Sequence, residues 1–251
     1  AFDRLLTIMD ELREKCPWDR AQTMESLRNL TIEETYELAD SILEQDLPEI
    51  QKELGDLLLH IVFYAKIANE KKAFDISDVI HSLCNKLVQR HPHVFGDTQV
   101  QNSRQVEENW EEIKMKEGNR SILSGVPDSL PALIKSNRIQ QKVRGVGFDW
   151  EQKEQIWDKV REELGELQRE VDHERKDQIE SEFGDLLFSM INAARLYDID
   201  PETALERTNK KFIKRFRYLE DQTINKGQSL RDMSLDQMNV IWEEAKKTDD
   251  S

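Results

Sequence analysis

Two acidic motifs occur twice in this chain, and they stand at the same distance from each other in both copies. The motifs and their counterparts are residues 33–37 (EETYE) with 162–166 (EELGE), and residues 53–58 (ELGDLL) with 182–187 (EFGDLL). Both correspondences have an offset of 129 positions, from Glu33 to Glu162 and from Glu53 to Glu182. Two shorter segments repeat in the same order, residues 85–86 at 209–210 and residues 110–112 at 242–244. Such ordered self-similarity predicts two copies of one structural unit.

The spacing of the apolar residues predicts that both units are all-α. Apolar side chains recur every three or four residues almost throughout, and no strand-like alternation competes with this pattern. The chain also has only 9 Gly and 6 Pro among 251 residues, which favours helices. Helical patterns cover residues 5–12, 24–43, 48–69, 76–89 and 104–116, and they resume near residues 132, 151, 176, 201 and 234.

One segment between the two copies breaks the helical periodicity. Residues 118–131 contain Gly, Ser and two Pro residues without an apolar repeat, which is typical of a linker. We therefore predict an N-terminal helical domain at residues 1–117, a linker at 118–131 and a C-terminal helical domain at 132–251.

The charge of the chain restricts its partners. A formal net charge of −15 argues against a nucleic-acid-binding surface, because a phosphate backbone requires a basic footprint. No apolar run is long enough to predict a membrane span. Cys16 and Cys84 match no metal or redox spacing, and we expect them to be reduced thiols in a cytoplasmic protein.

The acidic motifs place several carboxylates on common helix faces. Glu163 and Glu166 are three residues apart, as are Glu182 and Asp185, so each pair projects from one face of its helix. If the second helix returns antiparallel to the first, the pairs converge. Such a group of like charges is costly unless a cation neutralises it. Oxygen ligands without nearby Cys or His favour a hard ion, Mg²⁺ or alternatively Mn²⁺.

Acidic pairs are common on solvated helix faces, and most Glu residues of this chain fit that simpler reading. Asp56 and Asp185, however, precede strongly apolar segments, so we expect them at the edge of a core. Gly55 and Gly184 stand in mid-helix, where Gly costs about 1 kcal/mol relative to Ala. We expect another backbone or a ligand to approach closely there. Together with the repetition, these features favour a metal site.

Two other interpretations of this acidic helical chain are considered. A ferritin-like di-iron site requires paired Glu-x-x-His motifs, and only Glu170 with His173 fits in the second half, without a counterpart in the first. A non-enzymatic helical protein that senses nucleotides or binds a protein partner is the second alternative. Complete sets of metal ligands count against it.

The two copies differ downstream of the acidic motifs. Lys211 and Arg215 are one helical turn apart in the second half, a spacing that fits both binding of a triphosphate and a solvated face that balances nearby acids. Leu87 and His91 stand at the matching positions of the first half. We therefore expect one working site in the second half and a reduced or structural copy in the first. Trp242 lies in an amphipathic helix, and its position is compatible both with packing in the core and with stacking on a nucleotide base.

The combination of motifs resembles the MazG family over essentially the whole chain. The residues that carry the resemblance, besides both acidic motifs, are 16–19 (CPWD), 90–95 (RHPHVF) and 145–150 (GVGFDW). The resemblance implies a tandem repeat of two MazG-type helical-bundle domains, completed by dimerisation to a homodimer. It also implies magnesium-dependent hydrolysis of a broad range of nucleoside triphosphates to monophosphate and pyrophosphate, which clears unwanted nucleotides from the pool.

The resemblance also assigns roles to residues of this chain. The implied metal ligands are Glu163, Glu166, Glu182 and Asp185, with Glu34, Glu37, Glu53 and Asp56 in the first half. The implied nucleotide contacts are Lys159, Val160, Arg161, Glu162, Glu163, Lys211, Arg215 and Trp242. Glu162 adjoins the ligands without being one of them, and our hypothesis is that it orients the attacking water.

Overall fold

The computed structural model describes residues 1–102, 105–106, 109–110, 113, 121–227 and 229–249, with the side chains of 226, 248 and 249 excepted. The chain divides into two compact units, Ala1–Val106 and Glu107–Ser251. Within the described residues all regular structure is helical, which confirms the predicted fold class. The helix predicted at 104–116 and residues 118–120 of the predicted linker lie largely outside the described part.

Six α-helices lie within the described residues 1–102 of the first unit. They are α1 (Phe2–Lys15), α2 (Pro17–Ala21), α3 (Met24–Glu44), α4 (Leu47–Glu70), α5 (Ile76–Arg90) and α6 (Pro92–Phe95). Helices α3 and α4 pack along each other, and α1 and α5 contact α4. The core of this unit consists of buried Met9, Leu27, Val62, Phe63 and Ile67.

The described part of the second unit contains five α-helices. They are α7 (Ala132–Arg144), α8 (Ile156–Asp172), α9 (Lys176–Leu196), α10 (Pro201–Thr223) and α11 (Leu235–Asp249), with short 3-10 turns at Lys153–Gln155, Ile224–Lys226 and Leu230–Asp232. Helices α8 and α9 pack together as α3 and α4 do, and α7 contacts both α9 and α10. None of the described helices in either unit combines the length and apolar character that crossing a bilayer requires.

Local sequence explains why α3 turns back into α4. Thr23 accepts a hydrogen bond from the backbone N–H of Ser26, and the Ser26 side chain accepts one from Thr23, which fixes the start of α3. Gln45 adopts the left-handed conformation (φ 57°) and ends the helix. Asp46 then caps α4 through the N–H of Glu49. These signals place the two acidic motifs on facing helices.

The second hairpin closes with a comparable turn. Glu174 is left-handed (φ 56°) between α8, which ends at Asp172, and α9, which begins at Lys176. Gln45 and Glu174, the left-handed residues of the two turns, are themselves 129 positions apart, so the offset continues through both hairpins.

A largely buried ion pair fixes the loop that precedes α8. Arg195 of α9 donates to both carboxylate oxygens of Asp149, at 3.1 and 2.5 Å, and it also donates to Asn192. Burial alone raises the pKa of Asp149, but the hydrogen bonds from Arg195 and from the Trp150 backbone outweigh it and hold that pKa below its usual value. The motif at residues 145–150 therefore has a structural use that its sequence does not reveal.

The expectation for Asp185 is wrong for the single chain, and no backbone of the described chain fulfils the one for the glycines, whose approach by a ligand stays a prediction. Leu187 and Phe188, which follow Asp185, are 58% and 41% exposed, so Asp185 does not lie at the edge of this unit's core. No heavy atom other than its neighbours and its own helix lies within 4 Å of where a Cβ would stand on Gly55 or Gly184. No backbone of the described chain approaches these glycines, since both face open space.

Candidate functional site

The first hairpin brings three carboxylates together across two helices. Glu34 and Glu37 lie on α3 and Glu53 lies on α4, and one oxygen of each is within 4.8 Å of the others. Glu53 is only 1% exposed, and its Oε2 atom has no hydrogen-bond partner. We call these three residues the N-terminal cluster.

The second hairpin builds the same arrangement from the repeated residues. Glu163 and Glu166 of α8 and Glu182 of α9 offer carboxylate oxygens within 4.8 Å of one another. Glu163 is buried and the other two are half-buried. We call these three residues the C-terminal cluster. The antiparallel return from α8 to α9 is what brings the two motifs together.

The two aspartates of the motifs stand slightly apart from these clusters. Asp56 and Asp185 are not among the mutually close oxygens, although each lies one turn beyond the clustered Glu of its helix. Their negative charges still act on the clusters, because Asp56 contributes to a raised pKa at Glu34 and Asp185 does so at Glu182.

The crowding of carboxylates shifts their pKa values. Burial, followed by the neighbouring negative charges, raises the pKa of Glu34 and of Glu182 above the usual value. By contrast, the hydrogen bond from Lys52 lowers the pKa of Glu53 more than its burial raises it. Each cluster therefore contains one carboxyl group whose ionisation is disfavoured by burial and by the neighbouring negative charges, and a bound cation would offset that repulsion.

The donor set suits a divalent metal ion. All ligand atoms of both clusters are carboxylate oxygens, which Mg²⁺ and Mn²⁺ prefer over nitrogen or sulfur. The unpartnered buried oxygen of Glu53 is a position that a cation would satisfy. The residues therefore fit the metal that the sequence predicts, and Glu34, Glu37, Glu53, Glu163, Glu166 and Glu182 are those that would hold it.

One lysine contacts the most buried acid of each cluster, but the two lysines come from opposite helices. In the N-terminal cluster Lys52 of α4 lies 2.8 Å from Glu53. In the C-terminal cluster Lys159 of α8 lies 2.8 Å from Glu163 and 3.1 Å from Glu162. Hydrogen bonds to Glu163 and Glu162 raise the pKa of Lys159, so it stays charged.

The repeat offset shows that these lysines are not equivalent. The counterpart of Lys52 in the second half is Ser181, and the counterpart of Lys159 in the first half is Leu30. Comparing the copies position by position would have revealed this exchange, whereas comparing the acidic motifs alone did not.

The remaining predicted substrate residues lie in different surroundings. Glu162, Arg161 and Lys211 are exposed, Arg215 and Trp242 are half-buried, and Val160 is buried in the unit. Trp242 packs against Phe212 with 5.0 Å between ring centroids, which anchors α11 to α10. The side chain of Val160 is one of the buried hydrophobic residues of the core, unlike the exposed Glu162, Arg161 and Lys211.

The structure does not favour the ferritin-like alternative. Glu170 pairs with Arg175 at 2.6 Å, and Nδ1 of His173 lies 2.5 Å from the carbonyl oxygen of Arg169. His173 belongs to neither carboxylate cluster among the described residues.

Sequence reasoning overlooked one buried histidine near the N-terminal cluster. His60 follows Asp56 by one turn of α4, is 7% exposed, and has no hydrogen-bond partner at Nδ1. Burial lowers its pKa and the charge of Asp56 raises it, with a net lowering. Its counterpart in the repeat is Ser189, so this histidine is a further difference between the halves.

Comparison with known proteins matches both hairpins to one family. The family described as "MazG nucleotide pyrophosphohydrolase domain" matches residues 22–95 and again residues 151–219. These two ranges contain the two carboxylate clusters.

Similar proteins extend the match over the whole chain. The nucleoside triphosphate pyrophosphohydrolase/pyrophosphatase MazG of Thermotoga maritima is 42% identical over 100% of this chain and 97% of its own length. The nucleoside triphosphate pyrophosphohydrolase of Escherichia coli K12 is 41% identical over 98% of this chain and 97% of its own length. The uncharacterized protein YabN of Bacillus subtilis is 45% identical over 99% of this chain but only 52% of its own length.

An all-α chain with paired carboxylate hairpins and this twofold match is a nucleotide pyrophosphohydrolase, a class of hydrolase. The chain belongs to the MazG family.

Repulsion within the C-terminal cluster leads to a stability prediction. Because Glu182 has a raised pKa in the folded chain, its ionisation destabilises the metal-free protein at neutral pH. Glu182→Gln should therefore raise the metal-free melting temperature at pH 7. As the pH falls through the folded-state pKa, the wild-type carboxyl takes up its proton and the difference between the two proteins should shrink. Thermal unfolding followed by circular dichroism over pH 4–7 measures both effects.

The matched control is Glu180→Gln, which removes an exposed acid from the same helix. We expect it to leave the melting temperature nearly unchanged. A lower melting temperature for Glu182→Gln at pH 7, or equal shifts for the two variants, would contradict the proposed repulsion.

Proposed function

We propose that the second half of the chain hydrolyses nucleoside triphosphates, both ribo- and deoxyribo-, to monophosphate and pyrophosphate in a Mg²⁺-dependent reaction, with Mn²⁺ as a possible substitute. The observation that carries the proposal is the C-terminal cluster with Lys159 against its buried acid. Acidic ligands that hold cations explain how a chain of net charge −15 binds a polyanion. The physiological role would be removal of unwanted nucleotides without strong selection among bases.

We assign separate roles in this reaction to the acidic and the basic residues of the second half. Glu163, Glu166, Glu182 and Asp185 would hold the metal, and the cations of Lys159, Lys211 and Arg215 would bind the phosphates. Bound Mg²⁺ would supply charge neutralisation on the phosphates and a lowered pKa for the attacking water.

Glu162 is the residue that we propose to orient the water for in-line attack on the α-phosphorus. Its carboxylate is exposed and contacts Lys159 at 3.1 Å, so it lies beside the cluster without belonging to it. Trp242 remains proposed as a nucleotide contact, although its described ring contact is with Phe212.

The first half lacks the cations that this division of work requires. Leu30, Leu87 and His91 stand where the second half has Lys159, Lys211 and Arg215. We propose that the N-terminal half does not turn over triphosphates, although its carboxylates are arranged like those of the second half.

The exposed apolar surface of the hairpins supports a homodimer. Large side chains on the outer faces are 40–60% exposed in the single chain, among them Leu54, Leu58, Leu164, Phe183 and Leu187. A surface of this kind is typical of a protein–protein interface. The open space at Gly55 and Gly184 would let a second copy approach the helices closely.

We also propose a cytoplasmic location, because nucleoside triphosphates are made there and both cysteines are free. A purely regulatory role would leave the cluster of carboxylates without a use, so it stays the second candidate. Nucleotide binding in calorimetry without any turnover would favour it.

The first prediction of this function concerns the products. With Mg²⁺, a nucleoside triphosphate should yield monophosphate and pyrophosphate in equal amounts, because attack at the α-phosphorus releases pyrophosphate intact. Anion-exchange chromatography of the products measures this ratio. A Glu182→Gln preparation purified in parallel excludes a contaminating phosphatase. Orthophosphate and nucleoside diphosphate as the main products would overturn the proposal.

The second prediction concerns the asymmetry of the halves. Glu166→Gln and Glu182→Gln should each lower kcat at least about 100-fold, the upper end of the loss seen when a residue supporting a metal site is removed. The matched variants Glu37→Gln and Glu53→Gln should leave kcat largely unchanged. Steady-state kinetics of the four proteins decide the question, and equal losses in both halves would refute the asymmetry.

The third prediction concerns assembly. Light scattering should give a mass about twice the 29.6 kDa of one chain. Leu187→Glu should shift the mass toward that of a monomer, because it places a charge on the apolar hairpin face. Leu235→Glu, at a more exposed position at the start of α11, serves as control. A monomeric wild-type protein would exclude the proposed homodimer.

A further inference from the structure

We propose that Lys52 is a built-in counter-cation of the N-terminal cluster, so that this cluster binds divalent metal ions more weakly than its carboxylates alone would. The inference rests on the proposed function only in treating both clusters as cation sites. In the N-terminal half, the ammonium group of Lys52 would thus neutralise part of the charge that a metal ion would otherwise neutralise.

The position of Lys52 carries the first step of the argument. Its Nζ atom lies 2.8 Å from Glu53, the most buried acid of the cluster, and 2.5 Å from Glu49 on the same helix. The hydrogen bonds to Glu49 and Glu53 raise the pKa of Lys52, so the ammonium group is charged at neutral pH. A divalent ion that binds Glu53 must approach this fixed positive charge.

The second step is that the N-terminal cluster still has room for a ligand. The Oε2 atom of Glu53 is buried without a hydrogen-bond partner, while Lys52 contacts the Oε1 atom. Lys52 therefore satisfies one oxygen of this carboxylate and leaves the other. The cluster is partly neutralised and retains an unsatisfied oxygen that a metal ion would use.

The third step concerns what could draw the lysine away. In the second half the proposed function has Lys159, Lys211 and Arg215 bind the substrate phosphates, so a bound triphosphate would compete with Glu163 for Lys159. The first half has Leu30, Leu87 and His91 at these positions. Because the first half lacks these cations, we expect no triphosphate to draw Lys52 away from Glu53.

The experiment measures Mn²⁺ binding to the full chain without nucleotide, from the electron paramagnetic resonance signal of free Mn²⁺. Glu182→Gln serves as the background, because it disables the C-terminal cluster and leaves the N-terminal one. In this background Lys52→Ser, which copies Ser181, should tighten Mn²⁺ binding about tenfold, as expected for removal of one charge in contact with a ligand. Lys52→Gln, which keeps a donor for Glu53 but removes the charge, should do the same, and Lys52→Arg should not.

The matched control is Lys15→Ser, which removes a lysine from an exposed ion pair with Glu11 on α1. It should leave Mn²⁺ affinity unchanged in the same background. The reciprocal variant Ser181→Lys, made in the wild-type chain, should weaken binding at the C-terminal cluster, with Asn239→Lys on the exposed face of α11 as its control.

The outcomes separate this inference from the proposed function. If Lys52→Ser and Lys52→Gln bind Mn²⁺ no better than Lys15→Ser while remaining as helical as the parent, the inference is wrong. If the wild-type chain binds no Mn²⁺ at either cluster, the metal dependence in the proposed function fails instead. Because Lys52 is 58% exposed, its replacement leaves the packing of the core intact.

Discussion

Mutual repulsion among carboxylates on two antiparallel helices is the constraint around which each half of this protein is organised. Three acids lie within 4.8 Å of one another in each hairpin, and at least one of each set has its pKa raised by burial and by its neighbours. Such a cluster persists only because the packing of the hairpin holds it and a cation offsets its charge. The hairpin turns, the helix caps and the core all serve to keep these two helices in register.

In both halves a lysine offsets this repulsion, but it lies on the second helix of the first hairpin and on the first helix of the second. A lysine contacts the buried acid in both, but it comes from α4 in the first and from α8 in the second. This difference determines which carboxyl is left with a raised pKa, Glu34 in one half and Glu182 in the other. The two copies thus each place one lysine against a buried acid, but they differ in the cations that we propose to bind phosphates.

The sequence predicted much of the fold because its signals are local. The apolar periodicity gave the helices, and the equal offset of both motifs required the same hairpin in each half. The expectation that Asp185 lies at a core edge failed because an apolar run such as residues 186–188 does not reveal whether its own chain covers it. Leu187 and Phe188 are exposed in the single chain. Gly55 and Gly184 likewise face open space. Burial by a second copy is invisible to helical periodicity.

By itself the sequence determined the repeat, the all-α architecture, the acids that share a helix face and the family, since each depends on residue identity and spacing along the chain. Only the tertiary structure decided which acids approach one another, that Asp56 and Asp185 stand outside the closest group, and that Lys52 and Lys159 contact the buried acids. These facts depend on how two helices face each other across a hairpin. The strength of the interaction between charges on two helices depends on their distance and their burial. Neither quantity can be read from the order of residues along the chain.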